Sequence, residues 1–521
     1  MCMTPRLAMI LSMDLVSMLA DHTSFAVTLL CLFVATTALL LHLRVAASAA
    51  SVLSELAVAV QVLARQRAPG GLGTRRGLSI QVTDHAVAHS VLVRHSAAFL
   101  EHPATATPST IISRNLHHNI FSAAYGAYWR AARRNMVAGV LHQPRVRLLF
   151  RETRRRALAG LVRALASGAP ASESVHFAVY RVVAEMCFGK DVVAGKLGEA
   201  GLRAMQKLQR DMLLALPSFT AVVLYPRIGK LLYPSRWRKL LAFRRRQEET
   251  FLPLVAEVRN NRKKESHDGT LTSYVESLLD LRIHEQGGRG VTDGELVSLI
   301  SEFLGNGSDS TAASVEWTMA NLVKNPEMQQ KLRHEVNTVA GDNDDDAVVE
   351  EEDLSRMPYL RAVVLESLRR HPTVPFVMRH VEGEEAAKAL GVARLPRGGA
   401  TVNFLVGKMS RDPAVWSDPM SFSPERFMPG GEGELADLTC NREIKMMPFG
   451  AGRRMCPGMA VAILHLEYFV ANLVREFQWS EVEGEEVDLT EFHGFPFTAM
   501  KRPLRARLVP RDVLATASRQ K

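Results

Sequence analysis

Pro448-Phe449-Gly450-Ala451-Gly452-Arg453-Arg454-Met455-Cys456-Pro457-Gly458 is the stretch around which this chain reads as organised. The chain holds five cysteines in 521 residues, and Cys456 alone stands among glycines, a proline and two arginines. Gly450 and Gly452 let the backbone turn tightly enough for its N–H groups to reach a sulfur. Such hydrogen bonds stabilise a thiolate and tune the potential of a metal it holds. Phe449 can wall off water, and Arg454 can pair with a carboxylate of a bound group. Pro457 suits the first turn of a helix, and the apolar run 459–474 continues it. A thiolate in such a loop is a soft, strongly donating ligand, the kind that on a haem iron favours O–O cleavage. The pattern Phe-x-x-Gly-x-Arg-x-Cys-x-Gly fixes five positions, so chance produces it in a chain of this length about once in 10⁴. The competing reading is a Gly/Arg-rich turn carrying a buried structural cysteine.

No Pro/Gly/Ser-rich linker interrupts the chain after residue 80, so it reads as one large, mainly helical domain despite its length. A hydrophobic share of 47% supplies a sizeable core. The net charge of +10 would suit nucleic acid, an anionic membrane or an acidic protein partner. The basic residues are dispersed in amphipathic stretches without the aromatic interleaving of a nucleic-acid module, which argues against nucleic acid. The cysteines form no disulfide framework, as expected of a reducing, cytosol-facing domain. The basic stretch 147–163 reads as a solvated or membrane-proximal helix, and the acidic run 342–353 as a solvated loop.

Residues 25–41 are uncharged and apolar, and with their flanks are long enough to cross a bilayer as a helix. Asp14 and Asp21 precede the run, whereas Arg44, Arg65, Arg67, Arg75 and Arg76 follow it, which places the remainder on the cytosolic side. The alternative is a cleaved signal peptide ending at Ala47-Ser48-Ala49. The expected division is an anchor segment 1–44, an atypical linker 45–77 and a catalytic domain 78–521.

Within the domain, 78–82 alternates as a strand, and Asp84 caps a helix over 86–95. Trp129 and Arg133 are four apart and share a helix face. Residues 222–246 mix aromatic and basic side chains in a way that suits a membrane interface or an ordinary charged outer face. A long central helix over 291–323 opens on Thr292 or Asp293, with Glu295 in its first turn, and contains Asn306-Gly307-Ser308-Asp309-Ser310-Thr311. Glu366 and Arg369 share a face and can form a charge-assisted pair, and Pro424-Glu425-Arg426-Phe427 supplies a second arginine. Residues 395–396 and 401–406 read as strands, and 494–499 as a loop.

Taken in order, these elements resemble the cytochrome P-450 superfamily over nearly the whole chain from residue 78, most closely the plant microsomal A-type group. Residues 273–281, 316–326 and 443–450 look most like plant family eighty-nine, with family seventy-seven next. The resemblance implies a mainly α fold with small β-sheets, preceded by an N-terminal membrane anchor helix. It implies haem b with an axial thiolate from Cys456, and contacts to it from Phe449, Gly452 and Gly458. Trp129, Arg133, Arg454 and His380, the last in preference to Arg379, would meet the haem propionates. Asp309 and Ser310 would route protons, and Gly307 would make room for dioxygen. Asn306, Val374, Phe376, Phe495 and Phe497 would line the substrate pocket, and Glu366, Arg369 and Arg426 would lock the core.

The implied reaction is monooxygenation of a lipophilic small molecule at the endoplasmic reticulum membrane. Electrons would come from NADPH through a partner reductase, with cytochrome b5 as a further partner. Arg133, Arg134, Lys445 and Arg453 would form a basic docking face, making turnover salt-dependent. Three departures stand out. Ser310 replaces the usual threonine and loses the methyl that restrains its rotamer. Asn306 stands where Ala or Gly is expected. Residues 44–76 offer only Pro69 in place of a proline-rich hinge. Asn306-Gly307-Ser308 also matches a glycosylation sequon, discounted inside a helix of a cytosol-facing domain. Two alternatives remain: a haem-thiolate isomerase or dehydratase working without reductase, and a haem-binding protein with poorly coupled turnover. The Asp309-Ser310 pair argues against the first; Asn306 and the missing hinge suggest the second.

Overall fold

The computed structural model describes residues 78–103, 112–113, 118–219, 222, 226–264, 273–341, 348–494 and 497–511. The chain divides between Arg75 and Arg76, and every described residue lies in the second unit. The apolar run 25–41 and the linker lie outside the described residues. Among the described residues no helix is long and apolar enough to cross a membrane.

The longer helices are α1 Ala127–Gly139, α2 Gln143–Ala166, α3 Ala171–Phe188, α4 Gly198–Ala215 and α5 Pro234–Lys264. They are followed by α6 Asp293–Lys324, α7 Pro326–Ala340, α8 Pro358–Arg370 and α9 Met459–Glu476. At 32 residues α6 is about 48 Å long. It is buried on all sides over much of its length because α3, α5, α8 and α9 pack around it. Thr292, not Asp293, caps it: its hydroxyl accepts from the Glu295 amide (3.3 Å), and the Glu295 carboxylate accepts from the Thr292 amide (2.9 Å). Arg289 grips the same carboxylate with two bonds of 2.9 Å, so the capping box is anchored from outside. Asn325 ends the helix, and Pro326 opens α7 at the position where a missing N–H costs nothing.

Three strands form one small sheet in the order β1 (Leu78–Val82), β3 (Ala400–Phe404), β2 (Val377–Val381). β1 runs parallel and β2 antiparallel to β3. Val82, Val381, Val402 and Phe404 turn inward and pack on Ile444, Met447 and Ala451 of the segment leading to Cys456. The sheet therefore supports that loop. Two further ribbons pair β4 (Phe477–Ser480) with β7 (Arg507–Pro510), and β5 (Glu491–Gly494) with β6 (Phe497–Met500).

Several expectations need correction. Leu395 and Pro396 are irregular, because the strand begins only at Ala400. The expected loop at 494–499 is a hairpin, with Phe497 in β6 and its tip, Phe495 included, outside the described residues. The basic helix α2 is not simply solvated. Arg154 is fully buried and donates to Glu351 at 2.6 Å, while Arg151 and Arg155 reach Glu352 and Glu350. The described end of the acidic run is thus the counter-charge of α2, and Glu351 is buried with it.

Candidate active site

The cysteine loop is held by its own backbone. The Cys456 amide donates to the Phe449 carbonyl (2.9 Å), and the Met455 amide to the Gly452 carbonyl (3.0 Å). Gly450 and Gly452 have φ of +71° and +70°, a region side chains disfavour. At Gly452 a Cβ would also lie 1.9 Å from the Leu92 carbonyl oxygen. No other residue fits there. Of the three described cysteines, Cys187 and Cys440 are buried thiols; burial pushes Cys187 up, and Cys440 to about 12. Burial also raises Cys456, but the Gly458 amide and the Arg133 charge pull it back towards thiolate.

Around this loop three arginines gather, Arg379 buried and Arg133 and Arg454 half-buried. The Trp129 ring of α1 is met by two guanidiniums, Arg454 at 4.7 Å from its centroid and Arg133 at 5.4 Å. Arg133 donates to the Met455 carbonyl (2.5 Å), which ties α1 to the residue before Cys456. Arg454 donates to the carbonyls of Leu100 (2.8 Å), Ile120 (3.1 Å) and Ala123 (2.8 Å), so it pins the segment before α1. Strand alternation turns Arg379 inward, to 3% exposure, where it donates to His102 Nε2 at 2.9 Å. Burial and Arg454 together push Arg379 down to about 9, and burial pushes Arg454 down to about 10. The same cations and burial hold His102 neutral, at about 2. The Trp129 indole N–H is buried without a partner.

His380 occupies the opposite face of β2. Its amide donates to the Glu101 carbonyl (2.8 Å), and its ring lies 3.1 Å from the Glu382 carboxylate, part-exposed. The structure brings Arg379, not His380, to the Arg454 cluster. The period-2 pleat decides between the two neighbours, which sequence order could not.

On α6, Glu302, Asn306 and Ser310 follow one another at four-residue steps and share a face. Glu302 accepts from the amides of Ile120 and Phe121, both at 2.8 Å, in the segment that Arg454 holds. That carboxyl is raised to about 7, chiefly by burial. Asn306 is exposed and Ser310 part-exposed, whereas Phe303, Leu304, Thr311 and Ala312 are buried. The face therefore opens onto accessible space in the middle of an otherwise buried helix. The Ser310 hydroxyl donates back to the Asn306 carbonyl (2.7 Å). Asp309 lies to one side, 3.6 Å from His176 Nδ1 of α3. Gly307 does not face that space: a Cβ there would meet Val183 of α3 at 3.3 Å, so its bareness serves helix packing. Val374 and Phe376 are half-buried ahead of β2, and the Thr498 amide of β6 donates to the Thr373 carbonyl (2.7 Å), which brings the Phe497 strand alongside.

Glu366, Arg369 and Arg426 assemble as expected. Arg369 holds Glu366 with bonds of 2.6 and 2.7 Å, and its remaining N–H groups meet the carbonyls of Ser410, Pro419 and Ser421. Glu366 also accepts from the Ser423 amide (2.8 Å) and from Arg426 (3.4 Å). Glu302, His102 and His176 were not singled out by sequence reasoning. The four-residue spacing of Glu302 to Asn306 was a usable signal; neither histidine offered one.

A soft sulfur ligand, with an orphaned indole N–H and three arginines close by, fits a metal macrocycle carrying two carboxylates. The fold and site are those of a haem-thiolate protein. Residues 75–507 match the Cytochrome P450 family. The chain is 42% identical over 446 residues to Cytochrome P450 89A9 of Arabidopsis thaliana, covering 83% of this chain and 84% of that one. It is 28% identical to a flavonoid 3'-monooxygenase of Petunia hybrida, over 78% and 79% of the two chains. A zebrafish cytochrome P450 solved with progesterone shares the fold, with a TM-score of 0.66 at 20% identity, over 86% of this chain and 98% of that one. The chain belongs to the cytochrome P450 family; it is an oxidoreductase of the monooxygenase type and binds haem b. The resemblance to plant family eighty-nine holds.

Proposed function

We propose that this protein inserts one oxygen atom of O₂ into a lipophilic small molecule, using electrons from NADPH delivered by a flavoprotein reductase, with Cys456 as the thiolate ligand of the haem. The observation that carries the reading is the pairing of the Cys456 loop with the Trp129–Arg133–Arg379–Arg454 cluster. The bound haem supplies oxygen activation. The chain's residues do the rest. Gly450 and Gly452 shape the loop, and the Gly458 amide and Arg133 stabilise the thiolate. Arg379, Arg454, Arg133 and the Trp129 N–H serve the propionates, with Arg379 taking the role expected of His380. Asn306, Val374, Phe376 and Phe497 border the substrate space. Asp309 and Ser310 move protons, and the tether from Ser310 to the Asn306 carbonyl compensates in part for the missing methyl that would restrain its rotamer.

The reductase reading is supported by a shallow cleft of about 380 Å³ lined by Arg130, Arg133, Arg134, Arg453, Tyr125, Trp129 and Val137. Lys445 is not part of it; its ammonium donates to the Glu432 carbonyl (2.8 Å). Cytochrome b5 would compete for the same basic face. Placement at the endoplasmic reticulum membrane, through a single pass at 25–41 with the domain in the cytosol, rests on the charge asymmetry of the sequence. It is further supported by the basic-aromatic start of α5, where Leu231 is 80% exposed just before it and Lys230 covers the Trp237 ring at 4.2 Å.

The test is the carbon-monoxide difference spectrum of reduced membranes from cells expressing the chain, followed by NADPH turnover with a plant reductase on a panel of lipophilic phenolics. A red-shifted Soret band that Cys456→Ser abolishes is expected. An unshifted band in the unaltered chain would overturn the assignment of the ligand.

A further inference from the structure

Helix α3 lies close against α6 because Gly307 leaves room for Val183. The closeness brings a polar seam of α3 onto α6: Ser172, His176 and Tyr180, each four residues from the next. His176 is buried, to 7% exposure, and both its ring nitrogens meet carboxylates of α6. Nδ1 lies 3.6 Å from Asp309 Oδ1, and Nε2 lies 3.6 Å from Glu316 Oε2. Asp309 and Glu316 are seven apart, two turns along one face. The far oxygen of Glu316 accepts from the Leu504 amide at 2.8 Å, and Ser172 bonds the same carboxyl, so one end of the bridge is fixed. The Asp309 end has no such backbone anchor among the described residues. Beside it the Tyr180 hydroxyl is buried without a partner.

We propose that His176 is a positioning residue for the proton supply of the oxygenation reaction: as a cation bridging Glu316 and Asp309, it holds the Asp309 carboxylate on the α3 side of α6 and governs its release towards the Ser310 face. The inference rests on the monooxygenase reading of the site. Two carboxylates facing one imidazole favour the doubly protonated ring. Burial and Arg210 of α4 oppose this, yet His176 remains raised above its ordinary value. While the ring is cationic, the buried Glu316 and the part-buried Asp309 are both compensated. When the Nδ1–H bond breaks and the proton leaves to solvent, no electron moves and the ring becomes neutral. Asp309 is then no longer held by the charge of the ring and can turn across the helix towards Ser310. The bridge is then restored by a proton from solvent.

The test uses the haem-loaded protein with reductase and NADPH, without added substrate, so that O₂ is reduced either to peroxide (two electrons, two protons) or to water (four of each). His176→Leu and His176→Gln are compared with Asp309→Asn and the unaltered chain from pH 6 to 9. The peroxide-to-water ratio is expected to rise roughly 3- to 10-fold in both His176 variants, as in Asp309→Asn, and to lose its pH dependence. A purely structural histidine would not move that ratio. The second readout needs no turnover: the thermal unfolding midpoint of each variant against pH. A histidine raised in the folded state stabilises fully below about 6.5, and this contribution fades as pH rises through the folded value. The advantage of the unaltered chain over His176→Leu should therefore be greatest at pH 6 and shrink towards pH 9. A midpoint difference independent of pH, with an unchanged peroxide ratio, would overturn the proposal. If the unaltered chain reduces no O₂ with reductase, the monooxygenase reading fails, and the unfolding midpoints still decide whether the bridge exists.

Discussion

Two clusters of buried and half-buried arginines differ in how their charge is compensated. In the Glu366–Arg369–Arg426 cluster every guanidinium direction of Arg369 has an acceptor, and Glu366 receives a backbone amide besides its two arginines. In the Trp129–Arg133–Arg379–Arg454 cluster, cations crowd one another, an indole N–H has no acceptor, and burial and mutual repulsion depress Arg379 and Arg454. A closed network is architecture, because a desolvated pair persists only when fully partnered. On the proposed reading, the cluster short of negative charge serves a bound anion, whose arrival recovers part of its desolvation cost. Two groups of the same residue type therefore carry opposite assignments.

The largest expected effect comes from the closed cluster. Glu366→Gln leaves the buried Arg369 without a carboxylate and Arg426 with Glu432 alone, and should cost ~3–5 kcal/mol, seen as loss of soluble, haem-loaded protein and a lowered unfolding midpoint. If stability survived while only haem affinity fell, the contrast would break. Next, Arg379→Met should weaken haem retention by about 10- to 100-fold in a transfer assay to apomyoglobin, while leaving the haem-free chain as stable or more so. His380→Gln should change neither. Equal effects at 379 and 380 would remove the argument from strand alternation. Trp129→Phe keeps the stacked ring and deletes the orphaned donor. It should lower haem retention by about 1 kcal/mol and leave the haem-free chain nearly unchanged.

The smallest effect concerns pH. Glu302 is raised to about 7 by burial, against an ordinary value near 4.5, so the folded state holds its proton where the unfolded chain has lost it. Its contribution is full below about 4.5 and fades as pH rises through about 7. Glu302→Gln should flatten the fall of the unfolding midpoint across that window. An unchanged slope would show that the carboxyl is ionised throughout and that its grip on Ile120 and Phe121 is an ordinary cap.

The Cys456 loop, the Trp129–Arg133 face and the Glu366–Arg369 pair were legible because each is local: tight turns demand glycine, and helical spacing places partners three or four apart. The start of α6, with its cap at Thr292 or Asp293 and Glu295 in the first turn, was legible for the same reason, and the structure chose Thr292. The choice between Arg379 and His380 was not, since it depends on which face of β2 meets the core. Nor was the close approach of Val183, on another helix, to Gly307. The acidic stretch near Glu351 read as solvated because its partner, Arg154, lies 197 positions away.

The sequence by itself thus determined the class of chemistry, because a thiolate loop with obligatory glycines is written in eleven consecutive residues. Tertiary structure alone decided which arginines are matched by carboxylates and which crowd one another. It alone set His176 between Asp309 and Glu316. Compensation of a desolvated charge is a property of neighbours in space, and most of those neighbours are distant along the chain.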